Sequence, residues 1–169
     1  MRVKWQWKSF DQLSANDLYE ILKVRQEVFA VEQNCVYQDV DDLDKSAWHL
    51  MAWNLSDPAS PVIQAYLRVV FPAFKYPEPS IGRVLTVRQA RGTGLGKELL
   101  THALAHIERV YASGPIRISA QLYLYDFYAG FGFEKVSEPY DEDGIPHIEM
   151  VRGENGQGPG LNLSPGDGG

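Results

Sequence analysis

The segment Ile81-Gly82-Arg83-Val84-Leu85-Thr86-Val87 leads, one residue later, into Gln89-Ala90-Arg91-Gly92-Thr93-Gly94-Leu95-Gly96-Lys97. The first part reads as a strand. The second opens an apolar stripe of Leu95, Leu99, Leu100, Ala103, Leu104, Ile107 and Tyr111, which is one face of a helix. Glycines at such a junction permit positive φ and let the backbone approach a ligand. The free N–H groups of the first helical turn converge, and the helix dipole favours an anion there. Arg91 and Lys97 add positive charge, so a pyrophosphate is the natural occupant, with a tight packed turn as the alternative reading. The Walker pattern fails because Lys97 is followed by Glu98. The dinucleotide fingerprint fails because Lys97 stands where its third glycine belongs.

On the N-terminal side, Val3, Trp5 and Trp7 alternate with polar residues as in a half-buried strand. Ser14-Ala15-Asn16-Asp17 resembles a capping box, and Leu18, Ile21, Leu22, Val28 and Phe29 follow at helical spacing. Strands are expected at 48–54 and 62–71, the second rich in β-branched and aromatic residues. On the C-terminal side, Ser113-Gly114-Pro115 ends the long helix and 116–121 is a strand. A short helix over 124–130 follows, then strands over 133–140 and 147–152 around an acidic turn. The order predicts an α/β (α+β) domain: a mixed sheet with helices on its faces.

With 169 residues, the chain can bury roughly 70% of its unfolded surface in one domain. Sixteen basic residues against 22 acidic ones give a charge of −6, which disfavours nucleic acid as a partner. The single cysteine, Cys35, excludes an internal disulfide and suits a reducing compartment. No apolar run reaches the roughly 20 residues of a membrane span, and the N-terminus lacks a signal peptide's apolar core. A cytoplasmic protein without membrane association is expected. Residues 1–152 form the expected domain. Residues 153–169, with 7 glycines and 2 prolines, are expected to be a flexible tail. Exposed edge strands near the C-terminal end could pair two chains into a homodimer.

Phe127-Tyr128-Ala129-Gly130-Phe131-Gly132-Phe133, taken with the glycine turn, resembles the GNAT superfamily of N-acetyltransferases. The sequence is similar in particular to the ElaA-type members. That similarity is carried by Arg25–Cys35, Tyr37-Gln38-Asp39-Val40-Asp41, Ala120-Gln121 and Glu142-Asp143-Gly144-Ile145-Pro146-His147, in order over about residues 3 to 152. The resemblance implies a mostly antiparallel sheet of about seven strands, with a V-shaped splay between the strands at 81–87 and 116–121. It implies acetyl-coenzyme A as co-substrate. Arg91, Gly92, Thr93, Gly94, Leu95, Gly96 and Lys97 would hold its phosphates, and Leu85 and Val87, with Thr86 between them, would offer backbone to its pantetheine arm. Gln121 would face it from the second splayed strand, with Phe127 lining the site.

Acetyl transfer to an amine needs a deprotonated acceptor, stabilisation of the thioester oxygen and a proton for the leaving thiolate. Tyr128 is the expected donor, with packing among Phe127, Phe131 and Phe133 as its other reading. The strand over 81–87 has no acid where many members of the superfamily place a glutamate base. His147, His49, Glu32, Asp39 and a water chain are the candidates, and His147 has the best-matched ordinary pKa. A hydrogen-bonded structural histidine is its alternative. The implied acceptor is a small-molecule or peptide amine. The rival functions are a non-catalytic acyl-coenzyme A sensor and a nucleotide-phosphate binder.

No metal is expected. Asp39, Asp41, Asp42 and Asp44 lack the glycine and glutamate of a calcium loop and read as a solvated acidic loop, or as a rim attracting a cationic amine. His102 and His106 have metal spacing but no adjoining glutamate, and are expected to face solvent. Cys35 reads as a packed thiol.

Overall fold

A computed structural model describes residues 2–112 and 114–153. The expected tail, Gly153 apart, and Ser113 of the expected helix stop lie outside the described residues. Strand β1 (Val3–Ser9) leads to helix α1 (Ala15–Arg25), which opens with the anticipated capping box. Asp17 N–H donates to Ser14 Oγ and Ser14 N–H to Asp17 Oδ2, both at 3.0 Å. Beyond Arg25 the helix widens into a π turn over Gln26–Glu32. The Gln33 N–H reaches back five residues to the Val28 carbonyl. The apolar spacing gives no warning of this, because Val28 and Phe29 stay buried on the same face.

The rest of the chain comprises β2 (Ala47–Asn54), β3 (Val62–Val70), β4 (Ser80–Thr86), α2 (Leu95–Tyr111), β5 (Ile116–Gln121), α3 (Tyr125–Ala129), β6 (Glu134–Lys135), β7 (Tyr140–Glu142) and β8 (Ile145–Arg152). Among the described residues eight strands therefore stand where about seven were expected, because the strand over 133–140 is broken in two. Pro139 lies at the break and has no N–H to give to a ladder. There Glu149 N–H turns to the Ser137 hydroxyl instead, at 2.9 Å. Every ladder among the described residues is antiparallel. One sheet runs β1-β2-β3-β4; in the other, β8 lies between β5 and the β6 and β7 pieces.

Strand β3 is buried on both faces. Tyr66 and Arg68 look toward α1, and Leu67 and Val69 toward α2. The α2 stripe of Leu95, Leu99, Leu100, Ala103 and Ile107 closes the core. His106 joins that stripe, against expectation. It stacks on Trp7 at 4.0 Å and meets the edge of Trp48 at 5.1 Å, so two indoles from neighbouring strands cover it. His102 rests on Trp5. Among the described residues no helix is long and apolar enough to cross a membrane.

Candidate functional site

The two sheets are joined at one end and open at the other. Arg117 N–H donates to the Pro79 carbonyl at 3.2 Å, where β4 and β5 begin. No ladder continues from there among the described residues, so the strands diverge toward Thr86 and Gln121. A β-bulge lies partway along β4: Tyr66 pairs Leu85 and Arg68 pairs Gly82, so Arg83 and Val84 together oppose Leu67. Arg83 sits at φ +48°, a left-handed conformation that costs a non-glycine residue about 1 kcal/mol or more.

The register corrects which backbone faces the gap. Val87 N–H donates to the Gln64 carbonyl at 2.9 Å, and backbone direction alternates along a strand. The peptide groups of Leu85 and Val87 are therefore turned to β3, and those of Val84 and Thr86 face the opening. The Thr86 carbonyl already accepts from Arg91, whose Nε and Nη2 lie 3.2 and 3.1 Å away.

The glycine turn is built as the sequence suggests. Gly92 and Gly94 adopt φ +77° and +84°, and Gly94 caps α2. That leaves the N–H groups of Leu95, Gly96 and Lys97 without helical partners. Thr93 Oγ1 donates to the Ala90 carbonyl at 2.6 Å, which ties the turn shut. Arg88, Arg91 and Lys97 are exposed around it. A Cβ on Gly96 would lie 3.8 Å from Thr86 Cγ2 and 4.0 Å from Phe127 Cζ, so the ends of β4, α2 and α3 meet at one point. Tyr128 packs edge-on to Phe127 at 5.3 Å and to Phe133 at 6.0 Å. Its ring is buried, and its hydroxyl bonds to none of the described residues. Burial raises the phenol above its ordinary pKa, so it stays protonated at neutral pH.

The acidic loop is neither solvated nor a free rim. Asp39 accepts from Arg25 Nε at 2.9 Å, and Arg83 Nε forms an ion pair with its Oδ1 at 2.8 Å without hydrogen-bond geometry. Asp41 receives Arg68 through both oxygens at 2.7 Å, and Asp44 Oδ1 receives Arg25 at 2.6 Å and Arg68 at 2.9 Å. Burial alone would raise the Asp41 carboxyl, but Arg68 and Arg83 outweigh it and hold the group at about 2. Asp42 alone of the four projects into solvent. These contacts remove Asp39 from the candidate bases. His49 is removed too: it is fully buried, with Nδ1 2.7 Å from the Tyr66 hydroxyl and Nε2 2.9 Å from the Asp44 carbonyl. Burial lowers its pKa. Glu32 is paired with Arg91 at 2.7 Å.

The second sheet presents a polar wall to the gap's other side. Gln121 lies opposite His147, and Ser119 opposite Glu149. The Gln121 and Gln33 side-chain amides exchange hydrogen bonds, Gln121 Nε2 donating to Gln33 Oε1 at 3.1 Å and Gln33 Nε2 to Gln121 Oε1 at 3.2 Å, bridging the π turn to the end of β5. The sequence assigns Gln33 no role in the site, because a separation of 88 positions hides the pairing. The Tyr140 hydroxyl bonds to Ser119, and its ring stacks on His147. His147 Nδ1 lies 2.7 Å from the Ile145 carbonyl, and Nε2 lies 3.1 Å from Glu142, which is 47% exposed. Both ring nitrogens thus face acceptors, and only the Glu142 contact can swing away. Cys35 Sγ lies 3.2 Å from the Asp143 carbonyl and ties the loop to the β7–β8 turn. A cavity of about 430 Å³ lined by Pro77, Pro79, Ile107 and Tyr111 lies at the closed end of the splay, remote from the glycine turn.

Comparison with known proteins agrees with this geometry. A family model described as an acetyltransferase (GNAT) domain matches residues 73–153. The chain is 45% identical over 151 residues to UPF0039 protein sll0451 of Synechocystis, covering 89% of this chain and 96% of that one. Among solved structures, an acyl-CoA N-acyltransferase from Pseudomonas aeruginosa superposes with a TM-score of 0.83 at 42% identity, covering 89% of this chain and 99% of the other. ElaA of Escherichia coli superposes with a TM-score of 0.81 at 36% identity, with the same coverages.

Proposed function

Because the chain belongs to the GNAT acetyltransferase family and is an ElaA homologue, we propose that it moves the acetyl group of acetyl-coenzyme A onto a primary amine by direct attack. The observation that carries this reading is the meeting of Thr86, Gly96 and Phe127 at the open end of the β4–β5 splay, with the Tyr128 ring packed edge-on against Phe127. In this reading the N–H groups from Gly92 to Lys97 hold the pyrophosphate, with the Lys97 ammonium beside them. Arg91 leaves Glu32 to join them. The outward peptide groups of Val84 and Thr86 pair with the pantetheine arm, as an added strand would. Gln121, held by Gln33, walls the other side.

The amine nitrogen attacks the thioester carbon, the C–S bond breaks, and Tyr128 gives its proton to the departing sulfur. The departing thiolate, whose conjugate acid has a pKa of about 8.5, ends up protonated at neutral pH, and a donor beside the sulfur eases its departure. The surplus proton on the amine goes to His147 once Glu142 turns to solvent, and bulk water reprotonates Tyr128. The protein works in the cytoplasm, where acetyl-coenzyme A and reduced thiols coexist.

Titration calorimetry with acetyl-coenzyme A, ATP and NAD, followed by an amine-library screen for free-thiol release, tests the reading. Acetyl-coenzyme A alone is expected to bind, and at least one amine to release thiol. Binding of ATP or NAD in its place would refute the assignment, and tight acetyl-coenzyme A binding with no productive amine would mark a sensor. The variant His147→Ala is expected to change the pH profile of kcat/KM. A profile superimposable on that of the parent would transfer the base role to water or a carboxylate.

A further inference from the structure

We infer that Arg83 is a positioning residue, whose ion pairs to the 39–44 loop hold the β4 bulge and thereby aim the Val84 backbone into the gap; this rests on the acetyl-transfer reading of that gap. Three observations converge. Arg83 is a non-glycine residue at φ +48°, at the single place where β4 carries an extra residue. Such a conformation persists only where its surroundings enforce it. Its side chain is gripped on several sides: Nε lies 2.8 Å from Asp39 Oδ1, and Nη2 lies 3.1 Å from the Asp39 carbonyl and 3.3 Å from Asp41 Oδ2. The Tyr37 ring lies 5.5 Å beneath the guanidinium, and its hydroxyl donates to Asp39 at 2.8 Å.

The anchor is itself rigid. Asp39 and Asp41 are shared with Arg25 of α1 and Arg68 of β3, both fully buried. One loop therefore ties the end of α1, the middle of β3 and the bulge of β4 into one charge-balanced knot. Without the extra residue, backbone alternation would run unbroken from Gly82 to Thr86, and every peptide group in between would face the opposite way. The bulge thus sets which N–H and C=O groups look toward β5. The knot sets the bulge. Misplacing a reacting group by about 1 Å can cost about a hundredfold in rate, so a loosened bulge acts on turnover before it acts on folding.

The experiment compares Arg83→Ala, Arg83→Gly and Arg83→Lys in the full chain. Glycine accepts φ +48° at no steric cost, so Arg83→Gly removes the tether while sparing the backbone conformation. Both Arg83→Ala and Arg83→Gly are expected to lower kcat about tenfold or more, with the Kd for coenzyme A within about threefold of the parent, because the phosphates bind elsewhere. Arg83→Lys keeps a cation beside the two carboxylates and is expected to recover most of the loss. Parent-like kcat in Arg83→Gly would show that the backbone conformation suffices without the tether, and would overturn the inference. Parallel loss of coenzyme A binding and melting temperature in all three variants would reduce Arg83 to a structural residue, and would overturn it too.

A readout independent of turnover is the ratio of the acetyl-coenzyme A and coenzyme A affinities, which reports contacts made by the acetyl end alone. It is expected to collapse toward unity in Arg83→Gly, and an unchanged ratio counts against the inference. A parent protein that binds neither ligand would instead sink the acetyl-transfer reading, whatever the variants do.

Discussion

Replacing Tyr128 with phenylalanine is expected to lower kcat about tenfold or more while coenzyme A binding stays close to that of the parent. The substitution removes one oxygen and leaves the ring. The edge-on contacts to Phe127 at 5.3 Å and Phe133 at 6.0 Å survive, so the α3 segment keeps its packing. What is lost is the hydroxyl proposed as proton donor, which burial keeps in its protonated form throughout the neutral range. Under the proposed reading the glycine turn carries most of the coenzyme A affinity, which is then expected not to register the change. Steady-state thiol release and calorimetry measure the two quantities separately. Turnover within twofold of the parent would take Tyr128 out of the mechanism and leave it a packing residue.

The second large effect is on stability. Arg25→Ala is expected to destabilise the fold by about 3–5 kcal/mol, because it strips Asp39 and Asp44 of a buried partner rather than removing a whole ion pair. The Arg25 side chain is 0% exposed, so water cannot take its place cheaply. In a chain of this size that loss corresponds to a fall in Tm of about 10 °C. Urea unfolding would measure it, and a change below about 1 kcal/mol would show that the knot contributes little.

The parent protein carries a matching pH signature. The folded pKa of Asp41, at about 2, lies below the unfolded carboxylate value of about 3.9. Its contribution is therefore complete above about pH 4 and disappears as the pH falls toward 2. Burial raises and the arginines lower the Asp44 carboxyl, with a net downward shift, so it loses stability in the same direction. The Arg25→Ala variant should show a shallower acid limb, because part of the linkage is already gone.

Much of the architecture was legible in the chain because it is periodic or punctuated. The capping box at Ser14–Asp17, the α2 stripe and the left-handed glycines at 92 and 94 are local rules, satisfied within a few residues. The glycine turn and the Phe127–Tyr128 segment could be paired as one site because each carries a short motif. Other features left no local trace. Asp39, Asp41 and Asp44 read as a hydrophilic run because their partners stand 14 to 44 residues away, and a charge pattern does not say whether its complement will be buried beside it. His106 looked exposed because its covering rings belong to β1 and β2.

The choice between Leu85 and Val84 as the backbone facing the gap shows the boundary most sharply. Strand alternation was readable from the residues of β4, but its phase was not. One inserted residue reverses every peptide group beyond it, and that insertion exists only as a mismatch between β4 and β3. Periodicity, caps and glycines are written in neighbouring residues and need no partner, which is why composition and spacing alone yield the elements and the left-handed glycine turn. Register, burial of charge and the aim of a side chain are relations between segments, so they take a value only when the sheets and helices pack.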